Sequence, residues 1–234
     1  MLLAALAALL GAAVQSATGF GFALVLSPAL FAVMEPTEAV TALLLLGAAL
    51  NLLVLLERHD ARWILLPRLT LPAVPGLALG AVLLAALSRE PLQIGVGLAV
   101  IAAALWQLRD RGVARRIPAA VAGFTSGVLT TSISISGPPL VLWLEAQELR
   151  PVEFRATLAA LFLALNVLGG AVVLGIEGSG AVDLGALAPL LGLVLIGYAL
   201  GTFAFRRLDQ RRFATVVIVL VICTGVASVV AGLL

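Results

Sequence analysis

Two polar stretches embedded in apolar sequence decide how this chain folds: Gln15-Ser16-Ala17-Thr18-Gly19-Phe20-Gly21 and Thr130-Thr131-Ser132-Ile133-Ser134-Ile135-Ser136-Gly137-Pro138-Pro139. Each interrupts a hydrophobic run, 1–34 and 117–144, that is longer than the roughly 20 residues one bilayer crossing needs. Glycine and proline stop or redirect a helix, and serine and threonine offer the backbone an alternative hydrogen-bond partner, so both runs are expected to break. The segments C-terminal to the two breaks also match. Glu35-Pro36-Thr37-Glu38 is answered by Arg150-Pro151-Val152-Glu153, and Asn51 by Asn166, at one offset of 115 residues; Gly76-x-x-x-Gly80 is answered by Gly197-x-x-x-Gly201. Duplication inside a hydrophobic chain points to a secondary transporter whose halves enclose a shared site.

The composition supports a lipid environment. Hydrophobic residues make up 62% and charged residues 11% of 234, with a mean hydropathy of +1.20, whereas a soluble domain carries about 25% charged residues. All fourteen basic residues are arginine and lie at segment ends. That arrangement fits membrane topology and excludes a basic nucleic-acid-binding stripe. Cys223 and His59 are each the only residue of their kind. Neither a disulfide nor a thiolate metal cluster can form within one chain, and His59, in a polar loop, reads as solvated. No cofactor is expected. The apolar start of the chain lacks a basic flank and has an internal counterpart, so it is expected to be retained.

Apolar runs between charges give the organisation. The first repeat, 1–110, comprises a hairpin at 1–34 and helices at about 39–56, 64–87 and 92–108; the second, 117–234, comprises a hairpin at 117–144 and helices at about 154–176, 184–205 and 213–234. Together they form one transport domain, joined through the polar stretch 109–116. If each long run crossed the bilayer as one rod, the arginines would divide seven to seven between the two faces. If each turns back at its break, thirteen share one face and only Arg89 lies on the other. The second division obeys the positive-inside rule. It predicts an all-helical polytopic protein with two inverted repeats, both termini outside the cytoplasm, and hairpins that are re-entrant or very short crossings.

Non-helical backbone at membrane depth must be enclosed by protein or line a water-filled cavity, so the two breaks are expected to face one another. The second arm of each hairpin starts there, and a helix N-terminus offers unpaired N–H donors and a partial positive charge. Pro138 or Pro139 suits a first helical turn, and Ser134 or Ser136 could cap it. The expected substrate-binding set is Gln15, Ser16, Thr18, Gly19, Phe20, Gly21, Thr130, Thr131, Ser134, Ser136, Gly137 and Pro138, with Asn51 and Asn166 from the intramembrane helices. Neutral hydroxyl and amide donors of this kind suit a small oxyanion. The plainer reading is that these hydroxyls join helices and the glycines permit close packing. Glu38 and Glu153, at helix starts, are read as stabilising the local dipole rather than carrying protons.

At the breaks the residues take a recognisable form: Gly11-x-x-x-Gln15-Ser16-Ala17-Thr18-Gly19-Phe20-Gly21-Phe22-Ala23-Leu24 with Pro28, and Gly123-x-x-x-Gly127 followed by Ser136-Gly137-Pro138-Pro139-Leu140. The chain resembles the TauE/SafE family of membrane permeases, the sulfite exporter family, over almost its whole length. The resemblance implies a transporter of sulfite, a sulfonate or a related organic or sulfur oxyanion in the bacterial cytoplasmic membrane. Many members have Gly-Gly-Gly in the first repeat where this chain has Gly19-Phe20-Gly21-Phe22, and two phenylalanines would narrow the cavity or accept an apolar organic group. The implied partners are a small anion, the lipid bilayer and, for uptake against the membrane potential, a coupling proton or sodium ion. The rival readings are an anion channel and a structural membrane subunit. A membrane enzyme would need a nucleophile with its base, or a metal cluster, which one His and one Cys in separate segments do not supply.

Overall fold

The computed structural model describes residues 2–57, 60–107, 117–177, 184–205 and 226. The expected last helix, 213–234 with Cys223, lies outside the described residues except for Val226, as do His59 and the joint 109–116. The described residues form nine α-helices: α1 Leu2–Thr18, α2 Phe22–Val33, α3 Pro36–Glu57, α4 Leu66–Ala86, α5 Arg89–Gln107, α6 Ala119–Ile133, α7 Gly137–Glu145, α8 Pro151–Glu177 and α9 Leu184–Phe205; one 3-10 turn, Trp63–Leu65, precedes α4. The spans Pro36–Glu57, Trp63–Ala86 and Pro151–Ile176 are long and apolar enough to cross a bilayer.

Both long runs break at the polar stretches. Helix α1 ends where Gly19 takes φ +96° and its N–H bonds to the Gln15 carbonyl at 2.8 Å. A left-handed residue just past the last turn is the usual glycine helix stop. Gly21, at φ +116°, then turns the chain into α2. Helix α6 ends the same way with a costlier residue: Ser134, 115 positions after Gly19, adopts φ 61°, and its N–H bonds to the Thr130 carbonyl at 3.0 Å. The helices around the breaks are short. With 12 and 9 residues, α2 and α7 rise about 18 Å and 13 Å, against a hydrocarbon thickness of about 30 Å.

Among the described residues the three most extensive helix pairings are α4 with α6, α1 with α9 and α3 with α8. Each joins one half of the sequence to the other. In the first, a Cβ on Gly76 or Gly127 would lie 2.2 Å from the Phe124 or Ala73 carbonyl oxygen. Gly80 and Gly123 press just as closely on Val128 and Leu69, so both helices contribute a small-x-x-x-small stripe. In the second, Gly197 and Gly201 meet the Leu9 and Ala13 carbonyls in the same manner. Both glycine pairs named from the sequence therefore lie in backbone-to-backbone contacts.

Polar contacts fix the ends. Arg62, in the turn before α4, pairs with Glu153 at 2.8 Å, and its N–H donates to the Thr157 hydroxyl at 2.9 Å. Glu153 also pairs with Arg150 at 3.1 Å and accepts the Arg150 backbone N–H at 3.2 Å, closing the first turn of α8. At the far end of α2, Arg89 and Gln93 from α5 donate to the Phe31 carbonyl at 2.9 Å and 2.8 Å. A cation at a helix C-terminus is favoured by the dipole.

Candidate functional site

The two breaks meet. Phe20 of the first and Phe162 of α8 both lie 3.8 Å from the point where a Gly137 side chain would begin, and the Ser27 hydroxyl of α2 donates to the Ile133 carbonyl at the end of α6. Between them is a cleft with about 420 Å³ of empty space, its open mouth included. Ten of its fifteen lining residues fall into five pairs set 115 positions apart: Phe20 with Ile135, Gly21 with Ser136, Phe22 with Gly137, Gly47 with Phe162, and Asn51 with Asn166. Gln15, Ala23, Leu24, Leu43 and Ser134 complete the wall.

Of the expected residues, the fold gathers Gln15, Phe20, Gly21, Ser134, Ser136, Gly137, Asn51 and Asn166 at the cleft. It sets Ser16, Thr18, Gly19, Thr130, Thr131 and Pro138 outside the lining, for identifiable reasons. The hydroxyls of Ser16 and Thr130 donate to the carbonyls four residues back, Ala12 and Ser126, each at 2.6 Å. A helical serine or threonine commonly satisfies itself this way. The Thr131 hydroxyl donates to the Leu77 carbonyl across the α4–α6 contact at 2.7 Å. Thr18 braces the break itself, donating to the Phe20 carbonyl at 2.7 Å. Pro138 falls in the first turn of α7, as anticipated, but Ser136 makes no side-chain cap there and Ser134 belongs to the end of α6.

Gln15 organises the first break. It is 5% exposed; its Nε2 donates to Asn51 Oδ1 at 2.8 Å and its Oε1 accepts the Phe22 N–H at 3.2 Å. One amide thereby ties α1 to α3 and takes up the first donor of α2. At the second break Pro138 and Pro139 have no N–H to give, so α7 presents fewer amide donors than an ordinary helix start. The polar character of the cleft rests correspondingly more on side chains: Ser134, Ser136 and Asn166. Phe20, Phe22, Phe162, Leu24, Leu43 and Ile135 supply apolar wall. The combination suits a compact anion that accepts neutral hydrogen bonds and has an apolar part.

Gly47 and Phe162 are absent from the sequence-derived set. They were findable: each precedes a matched asparagine by four positions and so shares its helix face. Phe22, Ala23, Leu24, Leu43 and Ile135 are further lining residues outside that set, and Arg155 stands behind the first break. Counted among the arginines of one membrane face, it is 7% exposed, and its guanidinium donates to the Ser16 carbonyl in the last turn of α1. Its stem packs 3.0 Å from where a Gly19 side chain would begin.

Described residues that are helical throughout their regular structure, three spans of them long and apolar enough to cross a bilayer, with broken helices meeting at a cleft, define an integral membrane protein built on transporter lines. Residues 3–228 match the family described as Sulfite exporter TauE/SafE, and the chain belongs to that family, one of membrane transporters of sulfur anions. No curated protein and no solved structure matches it.

Proposed function

We propose that this protein is a secondary transporter that moves a small sulfur-containing or organic oxyanion, such as sulfite or a sulfonate, across the bacterial cytoplasmic membrane by alternating access. The observation that carries the reading is the cleft: both helix breaks reach it, and most of its wall consists of residues matched between the two halves. A site lying between two repeats and lined by both suits alternating access, because rocking one repeat against the other can expose it to either side in turn. Neutral donors bind an anion without placing a full positive charge at the bilayer centre, which lets the anion leave as readily as it enters.

In this reading the repeats are inverted, each a re-entrant hairpin and three crossings, with both termini on the non-cytoplasmic side. The Arg62–Glu153 pair supports the second of these hairpins. A single rod at 117–144 would set these two residues at opposite faces of the bilayer, whereas a turn back within that run sets them at one face, in keeping with their 2.8 Å separation. Export of an anion from a negative cytoplasm is electrically downhill and needs no coupling ion; import needs a proton or sodium ion.

The test is transport by purified protein in proteoliposomes, with sulfite and short sulfonates. Saturable uptake accelerated by the same anion on the far side is expected. Non-saturating flux would assign a channel. Absence of transport for every oxyanion tried would remove the proposal.

A further inference from the structure

The asparagines at equivalent positions of the two halves are in different states. Asn51 is 2% exposed, with both ends of its amide engaged: Nδ2 donates to the Gly47 carbonyl at 2.7 Å and Oδ1 accepts from Gln15 at 2.8 Å. Asn166 is partly exposed in the same cleft, and its amide makes no hydrogen bond to any described residue. The neighbours explain the difference. The residue matched to Gln15 is Thr130, whose hydroxyl is already bonded to the Ser126 carbonyl, so nothing reaches over to engage Asn166 as Gln15 engages Asn51. Gly47 meanwhile leaves an opening: Asn166 Nδ2 lies 2.6 Å from the point a Cβ there would occupy. The matched position carries Phe162, whose ring lines the cleft.

An amide donor at the wall of an open cleft, engaged by no protein group, is free to exchange its waters for a charged acceptor, and a hydrogen bond to a charged group is stronger than a neutral one. A bare carboxamide beside the hydroxyl-bearing Ser134 and Ser136 is a ready group for oxyanion oxygens. Resting on the anion-transport reading above, we propose that the matched pair has divided its labour: Asn166 contacts the transported anion directly, Gly47 being the gap that admits its amide, while Asn51 is a positioning residue that holds Gln15 against the first turn of α2. Sequence duplication alone would have given the two asparagines one role.

Uptake of radiolabelled sulfite into proteoliposomes, paired with thermal unfolding of each variant, separates the roles. Asn166→Ala raises KM about tenfold, the loss expected for a hydrogen bond to a charged acceptor, at the wild-type unfolding temperature. Gly47→Ala raises KM as well, because the added methyl displaces the Asn166 amide. Asn51→Ala lowers the unfolding temperature and the maximal rate instead. Wild-type KM in Asn166→Ala would overturn the assignment, as would a rise in KM for Asn51→Ala at an unchanged unfolding temperature. Wild-type protein inert toward sulfite and every sulfonate would defeat the transport reading itself, before any variant is compared.

Discussion

The guanidinium of Arg155, near the start of α8, donates to the carbonyl of Ser16 in the last turn of α1, a contact spanning 139 residues of sequence. It brings a cation to the C-terminal end of α1, where the dipole favours one, and its stem covers Gly19 as the helix stops. Removing it with Arg155→Met leaves a buried carbonyl without that donor and is expected to cost about 2 kcal/mol. Arg155→Lys restores charge without the planar fork and recovers only part of the loss. Unfolding in detergent micelles measures both; a fully stable Arg155→Met would remove the bracing role.

The α4–α6 contact leaves no room for a side chain. Gly127→Ala would place a methyl 2.2 Å from the Ala73 carbonyl oxygen and 2.9 Å from the Leu77 nitrogen, both backbone atoms. A loss of about 3 kcal/mol, the upper end of ordinary overpacking, is expected, seen as a collapsed yield of monodisperse protein. Gly95 and Gly170 have nothing within 4 Å of the equivalent point. Alanine at either should be tolerated and gain up to about 1 kcal/mol from helix propensity. Equal behaviour of all three variants would contradict the packing described.

Ser134 holds a left-handed conformation, φ 61° and ψ 23°, that glycine adopts without strain. Ser134→Gly should therefore stabilise the protein by about 1 kcal/mol while weakening transport through loss of a hydroxyl at the cleft. Gly21→Ala should do harm on both counts, since φ is +116° there and Val14 Cγ1 lies 2.8 Å from the new methyl. Melting curves and uptake kinetics on the same preparations decide whether stability and activity part company as expected.

Single cysteines at Arg62 and Arg150, in a Cys223→Ser background, should react with an impermeant maleimide from one side of the membrane, and a cysteine at Arg89 from the other. Reaction of the first two from opposite sides would leave the hairpin arrangement untenable.

The positions of the breaks were legible in the sequence because glycine, serine and proline inside an apolar run have few other uses. Their meeting was legible too, as a requirement that non-helical backbone be enclosed. The fate of each hydroxyl was not. Ser16 and Thr130 look identical in sequence to Ser134 and Ser136, and only their place within an intact turn, with a carbonyl four residues back, diverts them from the cleft. Arg155 was hidden for a different reason: an arginine near a helix start looks like a marker of the membrane face, and its inward course depends on where α1 ends. Matching positions likewise concealed the unequal condition of Asn51 and Asn166, which depends on residues that differ between the halves.

Since α1 lies against α9, α4 against α6 and α3 against α8, the three most extensive pairings among the described residues each bring the two halves together. Neither half is therefore expected to fold by itself. Severed at the joint, the chain should yield fragments that are insoluble singly and recover when co-expressed. A half-length ancestor would have faced the same need, and a second copy of itself would have met it.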